Sequence, residues 1–144
     1  LTGTFSSTLM GRLADRIGSS RVLATSLAIM LSGGLVTLSD LLVIKIAGVA
    51  IFTFGFFGSH SVASSSVGRS AKSDKAQASS LYLLFYYLGS SILGTLGGKF
   101  LMIYGWNGIV GFITTLLLIA LLMILIPLLC LKFFGLEEVA TENK

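Results

Sequence analysis

Four long apolar stretches, joined by connections too short to fold alone, constrain this chain more than any other feature. They cover 22–39, 41–67, 79–104 and 108–134. At about 1.5 Å of rise per residue, each can cross the roughly 30 Å of a bilayer's hydrocarbon as a helix, the first only just. Barrel strands alternate apolar and polar over about ten residues, and these stretches are largely unbroken. Charged residues make up 11% of the chain and hydrophobic ones 54%, whereas a water-facing domain carries about 25% charged residues. Lipid must therefore replace water around most of the chain. The expected fold class is all-α, a polytopic transmembrane helical bundle. It occupies 1–134, with a short solvated tail at 135–144 that carries Glu137, Glu138 and Glu142.

The connections alternate in charge. One side carries Arg12, Arg16 and Arg21, then Arg69, Lys72 and Lys75, then Lys132 and Lys144. The other side has only Lys45 and Lys99 of the ten basic residues, with Asp40 in one turn and Tyr104-Gly105-Trp106-Asn107-Gly108 in the next. The positive-inside rule puts the basic loops and the C-terminus in the cytoplasm of a multi-pass protein of the cell (inner or plasma) membrane, with Tyr104 and Trp106 in the outer aromatic belt. A net charge of +4 distributed this way is not the one-faced basic patch of a nucleic-acid binder. Lys45 and Lys99 can snorkel to the headgroups, or serve transport. The chain starts at Leu1, and residues 1–10 are long enough for only the last half of a crossing. A missing N-terminal part of the same chain is thus an expected partner, beside the bilayer.

Small residues lie inside the spans. Gly89, Gly94, Gly97 and Gly98 punctuate the third, where Ser90, Gly94 and Gly98 recur every four residues. Ala47, Gly55, Ser59 and Ala63 form a similar line in the second. Such stripes allow close helix approach and imply a packed bundle. The last span, rich in Leu and Ile and with Pro127 near its end, suits a lipid-facing position. Cys130, the sole cysteine, excludes an intrachain disulfide and a cysteine-cluster metal site.

One connection carries a mechanism. Gly11-Arg12-Leu13-Ala14-Asp15-Arg16-Ile17-Gly18-Ser19-Ser20-Arg21 reads as a tight reverse turn in which Gly11 and Gly18 permit close approach and unusual backbone angles. Asp15 is placed to meet a helix N-terminus or a neighbouring arginine. A charge pair of that kind can hold two helices in one conformation and release them in another.

This segment resembles the signature loop of the major facilitator superfamily, Gly-x-Leu-x-Asp-Arg/Lys-x-Gly-Arg/Lys-Arg/Lys. Gly11, Leu13, Asp15, Arg16 and Gly18 match; Ser19 and Ser20 stand where the basic pair belongs, with Arg21 just beyond. The loop occurs twice in the family's twelve-helix fold, and four spans after it point to the copy between helices eight and nine. The chain would then be the end of helix eight and helices nine to twelve. Gly94-Thr95-Leu96-Gly97-Gly98 resembles the glycine-rich segment of helix five of antiporters or its counterpart, helix eleven, though without the antiporter proline, and the Tyr104–Gly108 turn resembles the eleven–twelve turn of drug and sugar efflux members. The resemblance implies a cytoplasmic gate at Gly11, Arg12, Leu13, Asp15, Arg16, Gly18 and Arg21. It also implies a central cavity lined by helices ten and eleven, among others.

Candidate cavity residues are Phe52, Phe56, Ser59 and His60 in the second span and Tyr82, Tyr86 and Ser90 in the third. His60 can relay protons, or be a neutral histidine bonded to Ser61, Ser64 or a backbone carbonyl. The tyrosines suit flat amphipathic solutes, or anchor the helix at the interface. The expected activity is secondary transport of a small organic solute, by proton-coupled efflux through alternating access. No cofactor is expected beyond a coupling proton. A membrane enzyme would need a clustered acid, His or Cys constellation, which the spans lack; a non-transporting scaffold or subunit is the alternative.

Overall fold

The computed structural model describes residues 2–71 and 74–133, with side chains within 3–71 and 74–130. The tail at 135–144, Lys72 and the side chain of Lys132 lie outside the described residues. Within them the chain is helical and holds no strand: α1 (Thr2–Ile17), α2 (Ser19–Val36), α3 (Leu42–Ser70) and α4 (Lys75–Phe133). Ser19–Val36, Leu42–Ser70 and Lys75–Cys130 are long and apolar enough to cross a membrane.

The third of these makes two passes. Gly105 interrupts α4 with φ 66° and ψ −156°, a region essentially reserved for glycine. A straight helix would hold residues 97 and 109 about 18 Å apart. Instead, a methyl group added at Gly97 would sit 2.9 Å from Ile109 Cδ1, and the Phe100 and Phe112 rings stack at 4.8 Å. The chain doubles back into a first limb (75–104) and a second limb (106–133). Pro127 is carried inside the second limb without a break.

Helix ends fall elsewhere than the hydropathy expectation. α1 runs on through Gly11 to Ile17, so the segment 11–21 is not a loop. Its turn is Gly18 alone, at φ 93° and ψ 143°. Arg12, Leu13, Ala14 and Arg16 are good helix formers, and their charges continue the helix past the hydrocarbon. Gly11 faces open space inside α1, so it provides neither a turn nor a close approach.

Contacts along the helices fix their directions. Gly3 lies against Phe57, Met10 against Gly58, and Asp15 against Arg69, so α1 and α3 run parallel. Thr37 meets Gly48, Gly33 meets Phe52, and Met30 meets Gly55, so α2 runs antiparallel to α3. The approach at the last pair is backbone to backbone: a methyl group on Gly55 would lie 2.7 Å from Ser26 O and 2.8 Å from Met30 N. Gly55 does the packing expected of it, while Ala47 on the same expected stripe is exposed.

Two apolar clusters follow from this arrangement. Met10, Ala14, Val22 and Val62 close the arginine-rich end, with Leu13 packed against them. Leu27, Met30 and Leu117 tie the second limb to α2, with Phe52, Phe56 and Ile113 around them. Much of the remaining apolar surface is open: Met102 is 88% exposed, Val43 79% and Leu42 69%. In water that surface would be a severe liability; in a bilayer it is the solvent-matched face.

Candidate functional site

Two constellations stand out, one at the arginine-rich end and one between α3 and the first limb. At the first, α1 ends by delivering Asp15 beside the last turn of α3. Asp15 Oδ1 accepts from Arg69 Nη1 at 3.3 Å, and Arg69 Nη2 donates to Ser19 Oγ at 3.0 Å. The arginine thus ties together the end of α1, the start of α2 and the end of α3. Its presence also gives a physical reason for serine in place of a basic residue at 19, since a second cation there would face the guanidinium. Arg69 and Asp15 are 52% and 67% exposed. The pair is therefore worth about 1 kcal/mol or less, enough to bias a conformational equilibrium about five-fold.

Of the expected gate residues, Asp15 meets an arginine from a helix distant in sequence and not one of its own segment, Gly18 makes the turn, and Leu13 anchors the helix end in the apolar cluster beneath. Arg12, Arg16 and Arg21 line the exposed rim, with Arg16, Arg21 and Arg69 bordering an open depression. Arg69 was read from sequence only as one of several basic loop residues. Nothing in the linear spacing of 54 residues singles it out; the parallel pairing of α1 and α3 does.

In the second constellation, Phe56 and His60 share one face of α3, and Tyr82 and Tyr86 share one face of the first limb, each pair one turn apart. The Tyr82 hydroxyl and His60 Nδ1 share a hydrogen bond at 3.0 Å. The His60 ring lies 4.7 Å from that of Tyr86 and stacks on Phe56 at 6.2 Å, the planes within 6°. Phe57 and Tyr87, absent from the sequence-based set, extend the series with edge contacts at 5.4 Å to Phe56 and Tyr86. The partner of His60 is thus a tyrosine of the next helix, in place of Ser61, Ser64 or a carbonyl. A neutral imidazole can accept from Tyr82 or donate to it, according to tautomer, and an imidazolium can only donate.

Phe52, Ser59 and Ser90, also expected to line a cavity, lie outside this constellation. Phe52 packs toward α2 and the second limb. Ser59 donates to Phe56 O at 2.9 Å and lies 3.7 Å from Met30 Sδ of α2. Ser90 is exposed. The reason is angular: positions eight apart drift by about 80° around a helix, and adjacent positions by about 100°. Phe52 and Ser59 are therefore turned away from His60, and Ser90 from Tyr82. The same geometry affects the glycines. Gly97 packs on the second limb, whereas Gly89, Gly94 and Gly98 meet no helix of this chain among the described residues. The stripe 90–94–98 is not a seam within this bundle.

Among the described residues no cluster of His, Cys, Asp and Glu could hold a metal ion. The model of the Major Facilitator Superfamily matches residues 1–140. The "Uncharacterized MFS-type transporter YybF" of Bacillus subtilis (strain 168) is 54% identical over 121 residues, covering 84% of this chain and 30% of that protein. The "Inner membrane transport protein YnfM" of Escherichia coli (strain K12) is 54% identical over 123 residues, 85% of this chain and 30% of that protein. An "Uncharacterized transporter" of Buchnera aphidicola subsp. Schizaphis graminum (strain Sg) is 48% identical with the same coverage. The chain thus spans about 30% of the length of these relatives. No solved structure matches it. With a family model matched over nearly its whole length, this multi-pass membrane chain belongs to the major facilitator superfamily.

Proposed function

We propose that the chain is the C-terminal part of a secondary transporter that moves a small organic solute by alternating access. In this reading α1 is the end of helix eight, α2 and α3 are helices nine and ten, and the limbs of α4 are helices eleven and twelve. The single observation that carries it is the Asp15–Arg69–Ser19 contact. A pair that is exposed, weak and shared by three helix ends has the energy scale of a latch and not of a structural core.

The solute would meet Phe56, His60, Tyr82 and Tyr86, whose rings offer flat apolar faces with a hydroxyl and an imidazole. His60, the only histidine, would carry the coupling proton in an efflux cycle, as a drug or sugar exporter of the family would require. The open face bearing Gly89, Gly94 and Gly98 would receive the remaining helices of the transporter. The arginine-rich end and the C-terminus would lie in the cytoplasm. The name of the Escherichia coli relative supports an inner-membrane location.

The test is solute-driven proton flux in everted membrane vesicles, energised acid-inside and loaded with a pH-sensitive dye. At least one member of a panel of small aromatic solutes should release the proton gradient, and His60→Ala should change the pH profile of that release. If no solute in the panel moves protons, the coupling proposal fails; an unchanged profile in His60→Ala removes His60 from it.

A further inference from the structure

Opposite the arginine-rich end, α2, α3 and the second limb leave an apolar groove of about 170 Å³ between them, walled by Gly34, Val49, Phe52, Ile109, Val110 and Ile113. Trp106 forms its mouth. The indole Nε1 donates to Thr37 O at 3.0 Å and lies 3.3 Å from Thr37 Oγ1, which fixes the ring. Lys45, one turn before Val49 on α3, holds its ammonium 5.6 Å from the ring centroid, within cation–π range. Among the described residues no ion pair forms at Lys45. Asp40, in the turn before α3, is the carboxylate nearest in sequence and forms no ion pair with it among the described residues, so the cation stands unpaired at the headgroup-level end of a groove that otherwise faces hydrocarbon.

We infer that this groove binds an anionic phospholipid, with acyl carbons between Phe52 and Ile113 and the headgroup phosphate on Lys45. Charge complementarity selects the head. The ammonium keeps hydrogen-bond donors free while one side rests on the indole, and phosphate is the acceptor a bilayer supplies at that depth. A choline head is disfavoured, because Lys45 covers the aromatic face that would hold a quaternary ammonium. This site depends on membrane insertion alone and not on the transport reading.

Trp106 is the sole tryptophan of the chain, so its fluorescence reports on the groove directly. The chain is placed in dodecyl maltoside micelles doped with dibrominated phosphatidylglycerol or dibrominated phosphatidylcholine, whose bromines quench indole at short range. Phosphatidylglycerol should reach half-quenching at about a five-fold lower mole fraction, the preference one lysine near the surface confers. Lys45→Gln should abolish the preference, and Lys99→Gln, on the first limb, should keep it. Val49→Phe, which fills the groove, should weaken quenching by both lipids. Equal half-quenching by the two lipids in the native chain would overturn the site. So would a preference that survives Lys45→Gln, or one lost equally in Lys99→Gln.

Discussion

Replacing Gly55 with alanine tests how the helices are held together. The added methyl would lie 2.7 Å from Ser26 O and 2.8 Å from Met30 N. Both are backbone atoms of α2 and neither can rotate away. Ordinary contact begins near 3.4 Å, so α2 and α3 must part locally by about 0.7 Å. A gap of that size forfeits roughly a quarter to a half of each contact's dispersion energy. Spread over a few tens of atom pairs at about 0.15 kcal/mol each, the loss is about 2 kcal/mol, within the usual range for overpacking a core. That is roughly 30-fold in the folding equilibrium. Gly111→Ala, on the second limb, is the matched control, since a methyl there meets nothing within 4 Å and only helix propensity changes, by up to about 1 kcal/mol in favour of alanine. Unfolding in mixed micelles by increasing sodium dodecyl sulfate, followed by far-ultraviolet circular dichroism, measures both. Equal stabilities for Gly55→Ala and Gly111→Ala would refute the close packing of α2 on α3.

Other substitutions probe the turn and the aromatic constellation. Gly105→Ala puts a side chain at φ 66°, ψ −156° and should cost about 1–3 kcal/mol in the same titration. No loss would mean the hairpin does not turn there. Tyr82→Phe removes the half-buried hydroxyl from His60 Nδ1 and should destabilise by about 0.5–1.5 kcal/mol, the net worth of one hydrogen bond. Ser90→Ala, at an exposed position, should stay within about 0.5 kcal/mol. Tyr82→Phe as stable as Ser90→Ala would exclude that bond.

What was legible in the sequence follows from the physics each signal carries. Hydropathy reports how much chain must lie in lipid, so the spans at 41–67 and 79–104 correspond to α3 and the first limb with their ends shifted by a few residues. It cannot locate helix ends that project into water, and α1 therefore extends to Ile17 through residues read as a loop. The turn at 104–108 is visible as the short break between two apolar runs, although the structure turns at Gly105 alone and the rest stays helical. The residues of the aromatic constellation are among those the second and third spans offer, but their pairing is a matter of geometry: one turn keeps Phe56 beside His60 and Tyr82 beside Tyr86, while two turns carry Phe52 and Ser90 round the helix. Arg69 was invisible as a partner of Asp15 for a different reason. Which of several basic residues meets a carboxylate depends on how helices distant in sequence are paired, and no local pattern encodes that.

The most direct test of the transporter account is a charge exchange at the latch. Asp15→Arg, Arg69→Asp and the double exchange would be compared with the native protein in the vesicle proton-flux assay, at matched protein levels. A pair worth about 1 kcal/mol or less, replaced in each single variant by like charges of similar energy, predicts a loss of about two- to five-fold in rate. The double exchange should recover at least half of the native rate. Single variants that transport like the native protein, or a double exchange no better than either, would contradict a gate built on Asp15 and Arg69.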